Sequence, residues 1–141
     1  MRDSPKSLTY EEISIGDISE FDRKFSFEDV KLFAILSGDQ NPLHVNPSYG
    51  EKSAFGQNVV HGMLVSSLFS TLVGMYCPGK HSLYLSQSLN FRKPLFFNET
   101  VRVRGAVLEK TDALKIIKMS TEIIKDEDKL VTGEARIKVI S

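Results

Sequence analysis

Between His61 and Tyr76, sixteen residues pass without one Asp, Glu, Lys or Arg, and no other stretch constrains the fold as much. Val60, Met63, Leu64, Leu68, Thr71, Leu72 and Met75 follow i, i+3, i+4 spacing, while Val65, Phe69 and Val73 fill the other faces. Its polar members are small: Ser66, Ser67, Ser70 and Thr71. A helix apolar nearly all round is expected to be buried all round. Gly74 and the Pro78-Gly79 pair set its end. The rest of the chain must therefore supply a surface able to wrap it.

From Ser82 onward the period changes from helical to two. Leu83, Leu85, Leu89 and Phe91 predict the apolar face of one strand, with Gln87 the exception on that face. Val101, Val103 and Val107 mark a second strand, with Gly105 between them. Ile117, Met119, Thr121 and Ile123 mark a third, and Val131, Ala135, Ile137 and Val139 a fourth. The separators at 94–99, 110–112 and 126–128 are short and turn-like, which predicts an antiparallel meander. With a further strand over Ile18 to Phe25, about five strands are expected. Each has one apolar face, and the uncharged helix is the only partner large enough to cover them. The fold class is α+β, a curved antiparallel sheet wrapped around one long central helix.

The first half of the chain carries the shorter helices. Residues 1–9 are polar, hold Pro5 and are expected to be loose; Tyr10 to Asp17 reads as a short segment closed by a turn. Ser26-Phe-Glu-Asp29 has a hydroxyl cap, acids in the first turn and an acid three residues after the cap, which predicts a helix start. Val30, Phe33 and Ala34 continue at helical spacing, and Gly38 ends the pattern. A further helical turn is expected from Asn46-Pro47-Ser48 to about Ala54.

Ser37-Gly-Asp-Gln-Asn-Pro-Leu-His44 joins that helix end to a turn and holds a carboxylate and an imidazole five positions apart. Pro42 fixes its own φ and pushes Asn41 towards extended geometry, so the loop is short and stiff. It is suited to aiming Asp39 and His44 at one point, the arrangement proton transfer to or from carbon requires. From these two residues alone, a turn cap and a histidine satisfied by a backbone carbonyl explain the pattern more readily than catalysis does. Val59-Val60-His61-Gly62-Met63-Leu64 supplies a second piece. Here Gly62 lies in the first turn of the apolar helix, where N–H groups are unpaired and a substrate oxygen can approach a residue without a Cβ.

Together these two pieces, with Ser-Leu-Phe-Ser at 67–70 and the strand Tyr84 to Phe91, resemble the MaoC-like family of (R)-specific enoyl-CoA hydratases. The resemblance covers roughly Phe25 to Val103 and implies a hot dog fold over a single domain, residues 1–141. It implies reversible hydration of trans-2-enoyl thioesters, with Asp39 and His44 as the catalytic pair and the Gly62 N–H on the thioester oxygen. It also implies a pocket role for Ser70, whose alternative is a hydroxyl bonded back to its own helix. Asn41 either orients the pair or makes an Asx turn. His61 and Met63 flank Gly62 as substrate-binding candidates, and His61 reads as a structural residue of the first turn rather than a catalyst. Arg92 and Lys93, just past a strand, are candidates for the phosphates of coenzyme A or for an acyl carrier protein, and read equally as a solvated strand end. Unpaired edge strands and the resemblance together imply at least a homodimer.

Composition sets the outer limits. Formal net charge is zero, which gives no electrostatic case for nucleic acid or an anionic membrane surface. The N-terminus has no apolar run and no stretch reaches the length of a membrane span. The single cysteine, Cys77, cannot form an internal disulfide, so a reducing, cytoplasmic setting is expected. Asp39, His44 and His61 have a rival use as metal ligands, but His81 lies across the long helix and no Cys or Glu cluster completes a shell. No metal and no cofactor are expected, coenzyme A or the acyl carrier entering as part of the substrate. No Gly-x-Ser-x-Gly element marks a serine hydrolase.

Overall fold

A computed structural model describes residues 2–141; Met1, part of the segment expected to be loose, lies outside the described residues. Strand β1 spans Ile18–Arg23. Helix α1, Phe27–Ser37, begins at the capping box of Ser26 and Asp29 and stops at Gly38, which takes the left-handed conformation at φ 82°. Two short helices follow, α2 (Pro42–Val45) and α3 (Pro47–Lys52), each with an Asn cap and Pro in the first turn. The apolar segment is helical from Gly62 to Tyr76 in three consecutive pieces, α4 (Gly62–Ser66), α5 (Leu68–Thr71) and a π-helical turn (Leu72–Tyr76). Strands β2 (Ser82–Gln87), β3 (Asn90–Phe91), β4 (Val101–Thr111), β5 (Ile116–Lys125) and β6 (Asp128–Val139) complete the chain.

All strand pairings are antiparallel, in the order β1-β4-β5-β6-β2, with β3 also paired to β6. Six strands thus replace the expected five. The meander holds for β4-β5-β6, but β2 and β3 pair with β6 rather than with β4. Residues 92–100 between β3 and β4 are long enough to carry the chain across the sheet, and buried Leu95 anchors that crossing.

The concave face closes on the central helix. Val101, Val103 and Val107 of β4, Ile117, Met119 and Ile123 of β5, and Val131, Ala135, Ile137 and Val139 of β6 are all buried, as their alternation predicts. Gly105 allows the close approach: a Cβ there would stand 2.7 Å from a Leu72 methyl and 2.8 Å from the Met119 methyl. This is the hot dog arrangement.

Two expectations about facing fail. The helix is not buried all round, because Met63 is 59% exposed and Ser67 and Ser70 lie on the same open stripe. In β2 the leucines face outward, Leu83 at 50% and Leu85 at 46% exposed, and Phe91 is 52% exposed. Tyr84 and Gln87 take the inner face instead, the Tyr84 hydroxyl donating to Gln87 and Gln87 Nε2 donating to Oγ1 of fully buried Thr121 at 2.9 Å. A bulge between Tyr84 and Ser86 shifts the register, which a strict period of two cannot foresee.

The N-terminal segment is pinned rather than loose. Lys6 N–H donates to the Met75 carbonyl at 3.0 Å, Leu8 N–H to Pro78 at 3.1 Å, and Lys80 N–H to Lys6 at 2.9 Å. Tyr10 and Ile13 then join the core beside Val73 and Cys77.

Candidate functional site

The loop after α1 is built by short-range hydrogen bonds that its sequence dictates. Ser37 Oγ donates to the Phe33 carbonyl at 2.7 Å and accepts from Asp39 N–H at 3.1 Å. Asp39 Oδ1 accepts from Asn41 N–H at 3.2 Å, and Asn41 Oδ1 accepts from Leu43 N–H at 3.0 Å. Asn41 is therefore the cap of α2, the Asx-turn role, which starts the helix that carries His44.

A second strand of chain fixes the imidazole. His44 Nδ1 lies 2.7 Å from the Val59 carbonyl; a carbonyl only accepts, so Nδ1 carries the hydrogen and Nε2 is the nitrogen free to exchange protons. Val59 is held in turn by its N–H on the Leu43 carbonyl at 3.3 Å and by a bridge to Phe96. Asn58, buried, donates through Nδ2 to the carbonyls of Leu43 and Asn46, both at 2.9 Å, and so ties α2 to α3. Asn58 carried no signal in the sequence, and Val59 entered only as the first residue of the second motif, with nothing to mark its carbonyl as the partner of His44. The nearest clue is Gly50, where a Cβ would stand 2.5 Å from Asn58 Nδ2.

His61 lies beneath the pair. Its ring stacks on His44 at 3.9 Å between centroids and 26° between planes, with the Phe33 ring edge-on at 4.8 Å. Its Nε2 donates to the Asp39 carbonyl at 2.9 Å and lies 4.0 Å from the Asp39 carboxylate. Burial lowers the His61 pKa below its ordinary value, partly opposed by the bond to the Asp39 carbonyl, while His44 lowers it further. His61 is thus held neutral.

Nitrogen or oxygen atoms of Asp39, His44 and His61 all lie within 4.8 Å of one another. A metal bound by both imidazoles must lie near both ring planes at about 2.0–2.1 Å from each nitrogen. Stacked planes inclined by 26° do not meet at that distance. The cluster fits proton transfer better than coordination.

Beside His44 opens an apolar cavity of about 260 Å³, lined by His44, Phe55, Val60, Gly62, Val65, Phe91 and their neighbours. No side chain caps α4, so its first-turn N–H groups are left for a ligand. A Cβ on Gly62 would stand 3.0 Å from the Phe91 ring, which closes one side of the cavity. Arg92 and Lys93 line it too, and Lys93 pairs with Asp128 at 2.9 Å. The structure therefore brings His44, Gly62, Arg92 and Lys93 to the cavity, with Asp39 beside His44 but outside the cavity lining. It does not bring Met63 or Ser70 to the cavity, since both lie on the exposed helix stripe, and His61 is buried at 2% exposure behind His44.

Comparison with known proteins places this geometry in a family. The model of the MaoC-like domain matches residues 14–129, and the chain belongs to that family. It is 38% identical over 133 residues to the (R)-specific enoyl-CoA hydratase of Aeromonas caviae, covering 94% of this chain and 99% of that one. It is 39% identical over 127 residues to the mitochondrial 3-hydroxyacyl-[acyl-carrier-protein] dehydratase of Arabidopsis thaliana, covering 87% and 75%. Among solved structures, the (R)-hydratase of A. caviae superposes with a TM-score of 0.89 over 92% of this chain and 98% of that one, at 38% identity. An R-hydratase of Pseudomonas aeruginosa gives 0.91 over 96% and 87%, at 31% identity.

Proposed function

We propose that this protein catalyses the reversible addition of water to trans-2-enoyl thioesters, giving (R)-3-hydroxyacyl thioesters. One observation carries the reading: His44 and Gly62 open on the same apolar cavity, with the Asp39 carboxylate within 4.8 Å of the imidazole. The acyl chain occupies the cavity, and its thioester oxygen takes the N–H of Gly62. Water bound between Asp39 and His44 adds to C3 as its O–H bond breaks; C2 gains a proton, and the two transfers are shared by the pair. Charge that develops on the thioester oxygen is met by N–H donors already in place. The (R) product follows the Aeromonas relative.

The same site run in reverse is a 3-hydroxyacyl dehydratase, and the Arabidopsis relative supports an acyl carrier protein as the alternative carrier. Arg92 and Lys93 at the cavity suit the phosphate of either carrier. The exposed leucines of edge strand β2 support a homodimer, a second copy covering backbone groups that β2 leaves unpaired on its outer side. Among the described residues no helix is long and apolar enough to cross a membrane. A cytoplasmic setting is part of the proposal, supported by a buried Cys77 whose thiol burial pushes up to about 11.

Purified protein is expected to abolish the conjugated absorbance of crotonyl-CoA with no release of thiol. Free thiol would make the protein a thioester hydrolase. No change with any chain length, on coenzyme A or acyl carrier protein, would leave a non-catalytic acyl-binding module.

A further inference from the structure

His61 stands out because it is a buried polar residue arranged at a cost. Its Nε2–H is used on the Asp39 carbonyl, which leaves Nδ1 as an acceptor, and among the described residues Nδ1 has no partner. A buried acceptor left unpaired destabilises the fold, whereas an apolar ring of similar shape carries no such penalty. The surroundings would accept that ring, since His61 is stacked on His44 with the Phe33 ring edge-on to it. Stability, one hydrogen bond set against one unpaired buried acceptor, does not by itself explain this histidine.

What His61 touches does explain it. Its one hydrogen bond holds the backbone of Asp39, and its ring covers one face of His44, so a single side chain spans both members of the pair. These come from different elements: Asp39 from the loop after α1, His44 from α2. Among the described residues, Gly38, Asp39 and Gln40 make no other hydrogen bond to a distant segment; the bonds around them run along the chain, the Asn41 N–H holding the Asp39 carboxylate at the start of α2, and only His61 holds the Asp39 backbone from outside it.

We propose that His61 is the positioning residue of the site, setting the distance between the Asp39 carboxylate and the His44 imidazole while taking no proton itself. Only His44 and Asp39 among titratable groups face it, and its burial keeps it neutral, which spares His44 a second positive ring stacked upon it. The proposal rests on Asp39 and His44 being the reacting pair.

Two variants separate the parts of the role. His61→Phe keeps the ring and removes the donor; His61→Gln keeps a donor at the reach of Nε2 and removes the ring. Misplacement of a reacting group by about 1 Å can cost ~10²-fold, so His61→Phe is expected to lower kcat by about 10–10²-fold with KM little changed. Its melting temperature should be equal to or above that of the wild type. His61→Gln should recover much of the lost kcat. Both should keep the wild-type limbs of the pH–rate profile, and His61→Phe should cost nothing further in a His44→Gln background. Wild-type kcat in His61→Phe overturns the proposal. So does failure of that variant to fold, which makes the residue structural, and so does loss of a pH limb, which makes it a proton carrier. Asp39→Asn run alongside keeps the two readings apart: full turnover there removes the pair, whereas an inactive Asp39→Asn with a fully active His61→Phe removes only the positioning role.

Discussion

The two ends of the central helix obey different rules. At the C-terminal end, Val73 and Cys77 pack against Tyr10, Ile13, Val107, Ile117 and Met119, and the pinned segment 6–8 seals the turn with backbone hydrogen bonds. At the N-terminal end, α4 has no side-chain cap, His61 Nδ1 is buried without a partner, and an apolar cavity lies open beside His44. The first end is arranged as burial and hydrogen-bond satisfaction require; the second departs from both. Local departures of this kind concentrate at functional sites, where the rest of the fold supplies the stability they cost. The charge-free helix serves both purposes at once, filling the sheet with one part and offering its first-turn donors with the other.

The contrast breaks most sharply at the pair. Asp39→Asn keeps the shape and removes the base, and His44→Gln keeps a hydrogen-bonding side chain and removes the titratable ring. Each should reduce turnover by ~10²–10⁴ with smaller effects on binding. Thermal melts should stay close to the wild type; lowered melting with retained turnover would make both residues structural. Next in size is Gly62→Val. Its branched Cβ meets the Phe91 ring and crowds the place of the thioester oxygen, and loss of one such donor costs ~10²–10³ in rate. A folded, fully active Gly62→Val protein would remove the assignment of Gly62.

At the other end the expected effects reverse. Ile117, fully buried in the cluster around Val73 and Cys77, should cost about 2–5 kcal/mol when cut to Ala, read by denaturant unfolding. Activity per folded molecule should be unchanged, and a selective loss of turnover would mean the two ends are coupled. The smallest effect concerns pH. The folded pKa of His61 lies below its unfolded value of ~6.5. The folded state therefore binds fewer protons, so stability from this group is complete above pH ~6.5 and is lost as pH falls towards the folded value. Acid melts should show a decline that His61→Phe flattens; an identical decline in both proteins would place its origin elsewhere.

Much of the fold was legible because the pattern is strong where burial decides. The uncharged helix, the inner faces of β4, β5 and β6, and the Ser26 and Gly38 caps of α1 follow from periodicity and capping chemistry alone. Facing was illegible wherever a strand lies at the sheet edge. Leu83 and Leu85 look like core residues, yet a bulge and the Tyr84–Gln87–Thr121 network put them outside. Of the site, Asp39, His44 and Gly62 were visible because a stiff loop and a helix start carry them. Asn58, the Val59 carbonyl and the contacts of His61 with Asp39 and His44 were not, although His61 itself was a candidate, because these depend on contacts between segments 12 to 22 positions apart. No local pattern encodes such contacts. Ser70 shows the converse: a hydroxyl that matches the family motif lies on the exposed stripe in the single chain, away from the cavity.

The most direct test of the central claim is a double-mutant cycle on Asp39 and His44, with crotonyl-CoA hydration as the readout and melts run in parallel. If the two groups handle one water between them, removing the second after the first takes little more, and Asp39→Asn/His44→Gln should be about as slow as the worse single variant. If the rate losses multiply in the double variant, the two residues act independently, and the shared-water mechanism is wrong.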